Sequence, residues 1–142
     1  MLSANLELKS FLEHEENNLN KRFPKHQQIT MNLFHKVREF LDADFERFSD
    51  NRVYRYLLDT FRDIIYYAFD NGVSKSCLLA FFKILNKETV AKPLCYYAKS
   101  RAKDIEFILN RLLLFFTFTW QGVDNDRAKV LEEIVSFIDS CM

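Results

Sequence analysis

Apolar residues recur every three or four positions along most of the chain, the spacing that places side chains on one face of an α-helix. The spacing is most regular over residues 52–70 and returns in the last segment, residues 125–141. Only two glycines and two prolines interrupt the 142 residues, so the chain has few positions for sharp turns. The pattern predicts an all-α fold, a single-domain bundle of five or six helices with an N-terminal helical arm.

The first 28 residues are more polar than the rest of the chain. A helix over residues 4–20 would carry only a thin apolar stripe, formed by Leu6, Leu8, Phe11, Leu12 and Leu19. The segment "NNLNKRFPKHQQ" (17–28) has the composition of a loop. We therefore expect residues 1–28 to form a helical arm and loop, and residues 29–142 to form the helical bundle domain.

The second helix is predicted to begin at Thr30, which is a good N-cap, with Ile29 packing on Phe34 as a hydrophobic staple. Its apolar positions continue at helical spacing as far as Phe48. The polar run "SDN" (49–51) then separates it from a third helix over about residues 52–70.

Gly72 is predicted to end the third helix, because glycine takes the left-handed conformation without steric cost. Ser74 would cap a fourth helix, about residues 75–88, and Val73 between them is apolar. The run Gly122-Val123-Asp124 repeats this order before the last helix, with Asp124 in the capping position. We expect two corners with similar packing.

Pro93 suits the first turn of a helix, and the apolar periodicity continues from Leu94 to Phe116. This predicts one long fifth helix. The stretch "FTFTW" (116–120) alternates apolar and polar residues, so we expect that helix to finish as extended chain.

Composition and charge narrow the function classes. Hydrophobic residues make up 49% of the chain, which excludes a disordered protein, and 20 basic residues balance 20 acidic ones, which weakens the argument for nucleic-acid binding. The uncharged stretch 112–123 is shorter than the roughly 20 residues that a membrane helix needs, and the N-terminus lacks a signal-peptide pattern. We expect neither nucleic acid nor membrane as a partner. Three widely spaced cysteines, Cys77, Cys95 and Cys141, are predicted to be reduced thiols of an intracellular protein.

Motifs for metal binding or catalysis are incomplete. "HEENN" (14–18) has Asn18 where a zinc-binding helix needs its second histidine, and "VDNDRAKVLEEI" (123–134) lacks the glycine and glutamate of a calcium loop. Two glycines are too few for a phosphate loop or a nucleophile elbow. We expect no enzymatic activity, no catalytic residue, no cofactor and no metal site.

The order Ala68…Gly72-Val73-Ser74 also fits the turn of a helix-turn-helix DNA-binding motif. A recognition helix needs polar and basic side chains that face outward, whereas residues 77–85 are apolar apart from Lys83. The composition favours a buried helix, with DNA binding as an alternative.

The segment "KPLCYYAKSRAK" (92–103) is the candidate protein-binding surface. Tyrosine and arginine are common interface anchors, and four basic residues surround the two tyrosines. The candidate residues are Lys92, Tyr96, Tyr97, Lys99, Arg101 and Lys103. They predict contact with an acidic partner, although a solvated helix face explains the same pattern.

From residue 54 onward the chain resembles a family of small helical subunits of the C1a projection, part of the central-pair apparatus of cilia and flagella. The matching stretches are "DIIYYAFDNGVSKSCLLAFFKIL" (63–85), "FTFTW" (116–120) and "DNDRAKVLEEIVSFIDSCM" (124–142). They give a tyrosine-rich helix, a glycine turn followed by serine, a phenylalanine-bearing helix and an aromatic stretch before the last helix. The resemblance implies a non-enzymatic structural subunit of the ciliary axoneme in the cytoplasm, assembled with larger scaffold proteins.

A further alternative is a helical effector of the viral type, which would bind a partner helix in a groove on its surface. A hydrophobic groove in the fold would favour it.

Overall fold

The computed structural model describes residues 2–142, with side chains from Leu6 onward. These residues form seven α-helices and no strand, so the all-α prediction is confirmed and the expected number of helices was too low. The helices are α1 (Leu2–Arg22), α2 (Gln27–Asp42), α3 (Asp50–Asp70), α4 (Lys75–Leu85), α5 (Glu88–Leu94), α6 (Ala102–Leu114) and α7 (Asp124–Cys141). The segments between them include two 3-10 turns, Pro24–His26 and Lys99–Arg101, and a π-helical turn, Phe115–Thr119.

The buried side chains of all seven helices belong to one hydrophobic cluster. α4 lies deepest in it, because its buried residues occupy every side of the helix except the one that carries Ser76 and Lys83. α3 contributes the longest apolar face, from Val53 to Phe69. Both helices are strongly apolar at helical spacing, and burying that surface is the main driving force for the fold.

The prediction of a loop over residues 17–28 was wrong. α1 continues to Arg22, and the connection to α2 is reduced to Phe23 and the 3-10 turn. Leu12 and Leu19 are each 2% exposed. The helix is also tied to its neighbours by ion pairs of Glu16 with Arg38 on α2 and of Glu15 with Lys87 before α5. The apolar stripe on α1 is thin, yet Leu12 and Leu19 are buried in the cluster, and Leu8 and Phe11 pack against it.

The predicted boundaries of the second helix were also wrong at both ends. α2 begins at Gln27, so Thr30 is not a cap but a buried residue whose Oγ1 lies 3.9 Å from the sulfur of Cys77. α2 ends at Asp42, which leaves Phe45 and Phe48 in the following loop. Phe45 is still buried, because it packs among aromatic rings, 5.1 Å from Phe40 between ring centres.

The corner between α3 and α4 was predicted correctly. Gly72 has a φ of +69°, and the amides of Gly72 and Val73 donate to the carbonyls of Phe69 and Ala68, the pair of bonds that defines a Schellman motif. Val73 is fully buried, and the hydroxyl of Ser74 accepts from the amide of Cys77 at 3.2 Å. Gly72, the buried Val73 and the Ser74 cap therefore act together to turn the chain.

The long fifth helix does not exist. Pro93 lies in the last turn of the short helix α5, and a 3-10 turn separates α5 from α6. This turn is held by the start of α3: the amide and hydroxyl of Ser100 both donate to Asp50 Oδ2, at 3.0 and 2.8 Å. Bonds to a distant helix thus replace the intrahelical bonds that the periodicity predicted.

The expected extended stretch at residues 116–120 is also absent. Residues Phe115–Thr119 form a π-helical turn, and the amide of Trp120 donates to the carbonyl of Phe115 at 2.9 Å. The wider turn buries Phe116 and Trp120 and leaves Phe118 73% exposed. Buried Phe116 and Trp120 on either side of exposed Phe118 give the alternation of apolar and polar positions that is typical of a strand.

The corner before α7 resembles the first corner only in its glycine. Gly122 has a φ of +82°, but Asp124 is the first residue of the helix rather than its cap, and Val123 is 51% exposed. Asp126 closes this helix start instead, since its Oδ2 accepts from the amide of Gln121 at 2.9 Å. The predicted similarity of the two corners was therefore wrong for the cap and the staple.

α7 is fixed to α3 at both of its ends. At its start, Arg127 donates to the carbonyls of Ala68, Phe69 and Val73 at the first corner. At its end, the hydroxyl of Tyr54 donates to the carbonyl of Cys141 at 3.0 Å. The two helices are thereby held side by side over their full length.

Candidate protein-binding groove

The structure divides the six predicted binding residues between two environments. Arg101 points inward: its guanidinium lies 3.8 Å from the centre of the Tyr54 ring and donates to Asn51 at 2.8 Å and to Asp104 at 2.7 Å. The hydrogen bond that this guanidinium donates to Asp104 raises its pKa. Arg101 therefore connects α3 to α6 and uses its Nε and Nη1 donors within the protein.

The remaining basic residues are exposed, but they do not form one patch. The Lys99 ammonium lies 5.1 Å from the centre of the Tyr96 ring, and Lys103 is on the first turn of α6. Tyr96 is edge-on to Tyr97, with 4.9 Å between their ring centres. Lys92 and the two tyrosines face away from Lys103 into a groove.

This groove has a volume of about 1080 Å³. We call it the α1–α5 groove. Its walls come from α1, from the end of α2 and from α5 with the turn that follows it. The lining residues are Glu7, Leu8, Lys9, Leu12, Glu13, Arg38, Phe40, Leu41, Asp42, Ala43, Asp44, Glu88, Thr89, Lys92, Pro93, Tyr96 and Tyr97.

The bottom of the groove is apolar. Leu12 and Phe40 are almost completely buried, and Leu8, Leu41 and Tyr97 are half-buried beside them. Tyr97 is held in place by Phe45, whose ring is edge-on at 5.8 Å. Binding of a second apolar surface here is favourable, because both surfaces are removed from water.

The rim of the groove is acidic. Among the described residues, no ion pair engages its five carboxylates, Glu7, Glu13, Asp42, Asp44 and Glu88. Of its three basic residues, Arg38 is paired with Glu16 at 2.7 Å, which leaves Lys9 and Lys92. The negative end of the α2 dipole also lies at Asp42.

Carboxylates near the groove also affect the pKa of Tyr97. Burial raises the pKa of its hydroxyl, and the carboxylates of Asp44 and Glu46 raise it further because they disfavour a phenolate. The expectation of an acidic partner came from the basic residues of 92–103 alone. In the fold, the groove that Lys92, Tyr96 and Tyr97 line also carries carboxylates from α1, the end of α2, the loop after it and α5.

Most of the groove was missed by sequence reasoning. Lys92, Tyr96 and Tyr97 were predicted as binding residues, whereas the walls from α1 and α2 were not. α1 was expected to be a separate arm, so its acidic residues could not be placed opposite α5. No local motif marks these residues, because the groove exists only where three helices meet.

The helix that would serve as a DNA-recognition helix is enclosed by protein. α4 packs against α1, α5, α6 and the π-helical turn. Six side chains would have faced outward from a recognition helix. Ser74, Lys75 and Leu79 are half-buried and Ala80 is buried, while Ser76 and Lys83 are exposed. A helix covered in this way cannot enter a major groove.

Other candidate chemistry is scattered. The side chains of His14 and Asn18 form a hydrogen bond with each other at 3.1 Å. Residues 2–142 contain no cluster of three or more potential metal ligands. In the same residues, no helix combines the length and apolarity needed to cross a membrane. All three cysteines are free; Cys77 and Cys95 are buried and Cys141 is half-buried. Burial raises the pKa of Cys77, and raises that of Cys95 to about 11.

The α1–α5 groove can bind a segment that offers an apolar face between cationic side chains. Its apolar bottom matches the nonpolar side of an amphipathic helix, and its unpaired carboxylates match lysine or arginine on the flanks. Comparisons with protein-family models, curated proteins and solved structures gave no match to this chain.

Proposed function

We propose that this protein is a non-enzymatic protein-interaction subunit that binds a basic amphipathic helix of a partner in the α1–α5 groove. The observation that carries the proposal is the apolar bottom of the groove, bounded by five carboxylates that form no ion pair with any residue the structure describes. Carboxylates that are unpaired in the free protein gain Coulomb attraction when a cationic partner binds.

The geometry favours a helix as the bound segment. Leu8 and Leu12 follow one another by one turn of α1, and Leu41 lies across from them at the end of α2. Rows of this kind on two helices leave a space between them. A ridge of side chains on a third helix can pack into that space. The exposed Tyr96, at 45%, then covers one end of the bound segment.

The cellular setting that we propose is the ciliary axoneme. Its support is the resemblance of residues 54–142 to the small helical subunits of the C1a projection, which act together with larger scaffold proteins. Within such an assembly the groove would receive a helix from a scaffold protein. We also propose that the seven helices form a single-domain bundle, which predicts coincident unfolding transitions of Trp120 fluorescence and helical circular dichroism.

The groove equally supports the second candidate, a helical effector that binds a partner helix. Both candidates use the same residues, so binding experiments on the groove test them together. Localisation distinguishes them: a subunit of the axoneme is retained in detergent-extracted cilia, whereas an effector of another pathway is not.

The binding test uses a labelled amphipathic peptide with leucine on one face and lysine on the other, followed by fluorescence anisotropy. Reversing Asp42→Lys and Asp44→Lys together should weaken binding at least about tenfold, and added salt should weaken binding to the native protein. The matched control reverses two exposed carboxylates outside the groove, Asp70→Lys and Glu132→Lys, and should leave affinity unchanged. Equal binding of a leucine–glutamate peptide, or no binding of either peptide, would contradict the proposal.

The cellular test expresses the tagged protein in ciliated cells. We expect axonemal retention that the Asp42→Lys, Asp44→Lys variant loses and the control variant keeps. A protein that stays diffuse in the cytoplasm while still binding the lysine peptide would exclude the axoneme and leave the groove function in place.

A further inference from the structure

A second, smaller concave surface lies between α1 and α4. It has a volume of about 190 Å³, against about 1080 Å³ for the α1–α5 groove. Its walls come from the last two turns of α1, from the second half of α4 and from Lys87. We call it the α1–α4 pocket. Among the described residues, the two surfaces share no lining side chain.

The α1–α4 pocket continues the groove along α1. On α1 the lining of the groove ends at Glu13, and that of the pocket begins at Glu15. On the opposite wall the lining of the pocket ends at Lys87, and that of the groove begins at Glu88. The ion pair of Glu15 with Lys87, at 2.9 Å, marks the boundary. The two surfaces therefore follow residues 7–22 of α1, over a length of about 22 Å.

The two surfaces carry opposite charge. The rim of the groove is acidic, whereas three of the residues that line the pocket are basic. Lys87 is paired with Glu15, but Arg22 and Lys83 form no ion pair with any residue that the structure describes. The guanidinium of Arg22 lies 5.2 Å from the centre of the Phe23 ring, a contact that does not neutralise its charge. The pocket therefore offers two cations to an anionic group.

The bottom of the pocket is apolar. Leu19 is 2% exposed, Ile84 is 5% exposed, and both line the pocket beside the two cations. A glutamate side chain matches this combination, because its methylene groups can pack on the leucine and isoleucine while its carboxylate accepts hydrogen bonds from Arg22 and Lys83.

We propose that the α1–α4 pocket binds an acidic side chain of the same partner segment that occupies the α1–α5 groove. This inference rests on the proposed function, because the groove holds the basic part of that segment. Leu12 lines the groove and Leu19 lines the pocket, seven residues apart on α1, which is about two helical turns. The acidic residues of the partner therefore lie about two turns beyond the leucine that contacts Leu12.

The opposite charges of the two surfaces give the bound segment a direction. In the correct direction, lysines of the partner face the carboxylates of the groove and its glutamates face Arg22 and Lys83. In the reverse direction, like charges are opposed in both surfaces, which disfavours binding. The pocket thus selects partner helices that are basic at one end and acidic at the other.

The test extends the leucine–lysine peptide by two turns at one end or the other. Each extension carries two glutamates, or two glutamines in the same positions, and binding is measured by fluorescence anisotropy. We expect one of the two glutamate peptides to bind the native protein at least about fivefold more tightly than its glutamine counterpart. The glutamate peptide extended at the other end should bind no more tightly than its counterpart.

A double variant assigns this gain to the pocket. Arg22→Gln with Lys83→Gln should reduce the fivefold ratio to about one while leaving the affinity for the glutamine peptide unchanged. The matched control, Lys21→Gln with Lys129→Gln, removes the same charge at exposed positions outside both surfaces and should keep the ratio. Lys21 lies in the last turn of α1 beside Arg22, so the control also includes the loss of a cation at that helix end. A variant that failed to fold would lose the glutamine peptide as well.

Equal gains from glutamate at both ends of the peptide, or a gain that persists in the double variant of Arg22 and Lys83, would overturn the inference. Glutamine and glutamate peptides that bind equally well would overturn it too, while leaving the function of the groove in place. Failure of every extended peptide to bind would contradict both.

Discussion

The guanidinium of Arg127 lies 5.1 Å from the centre of the Trp120 ring and 4.9 Å from that of Phe69. The same group donates to the carbonyls of Ala68, Phe69 and Val73, at the corner between α3 and α4. Burial lowers the pKa of this guanidinium, and the aromatic faces and carbonyls offset part of the cost of that burial. One side chain of α7 thus completes the corner that Gly72 begins.

Replacing this guanidinium should destabilise the fold. Arg127→Met removes three hydrogen bonds and the contacts of the guanidinium with two aromatic rings, so we expect a loss of about 2 kcal/mol in the free energy of unfolding, measured in urea. Arg127→Lys keeps the charge but loses the planar guanidinium. Its free energy of unfolding should lie between those of the native protein and Arg127→Met. Arg55→Met, at an exposed position of α3, is the control and should change stability by less than about 0.5 kcal/mol.

Leu12 tests whether α1 belongs to the folded core. It is 2% exposed, whereas Leu6 on the same helix is 59% exposed. Leu12→Ala should therefore cost about 2–4 kcal/mol and Leu6→Ala close to nothing. Equal, small effects on the urea midpoint would mean that α1 is detached in solution.

Gly72 tests the conformation of the first corner without a change in packing. A Cβ built at Gly72 meets no atom within 4 Å, so Gly72→Ala reports the cost of a positive φ alone, about 1 kcal/mol. Gly72→Asn should lose less, because asparagine tolerates this conformation better. An Ala variant as stable as the native protein would show that the corner adopts another conformation.

The three thiols should react at different rates with a chromogenic disulfide reagent at pH 8. Cys141 is half-buried and should react first, whereas Cys77 and Cys95 are buried and should react only as fast as the protein opens. With its pKa raised to about 11, Cys95 has about one thiolate in a thousand molecules at this pH. Cys141→Ser should abolish the fast phase, and a persisting fast phase would place another thiol at the surface.

Asp50 should make stability depend on pH in acid. Hydrogen bonds from the backbone amide and the hydroxyl of Ser100 lower the pKa of its carboxyl in the folded state. Such a group stabilises the fold above its unfolded pKa of about 3.9, and the contribution disappears as pH falls through the lower folded value. The difference in melting temperature between the native protein and Asp50→Asn should be constant near neutral pH and shrink below about pH 4. A difference in melting temperature that grows below about pH 4 would contradict this prediction.

The sequence predicted those features whose causes are local. Ser74 caps its helix as expected, accepting from the amide three residues ahead at 3.2 Å, and Gly72 adopts the left-handed turn. Each of these depends on side chains within a few residues. The buried positions of the long periodic segment, such as Leu94 and Leu112, were also correct.

The sequence failed where contacts between distant residues decide the structure. Periodicity could not reveal that Ser100 binds Asp50 fifty residues away, so the break between α5 and α6 was missed. Polar neighbours concealed the burial of Leu19, which depends on the surface that α4 offers to α1. The groove was unpredictable for the same reason, since its acidic rim and its tyrosines come from three separate helices.

Tyr54 connects three distant parts of the chain, because Arg101 lies over its ring and its hydroxyl holds the carbonyl of Cys141. A pulling force applied at the end of α7 is therefore transmitted through Tyr54 to α3 and, by way of Arg101, to the start of α6. We expect this connection to share the load among three helices, so that α7 does not detach from its last turn. A subunit inside a structure that bends repeatedly would benefit from this distribution of mechanical stress.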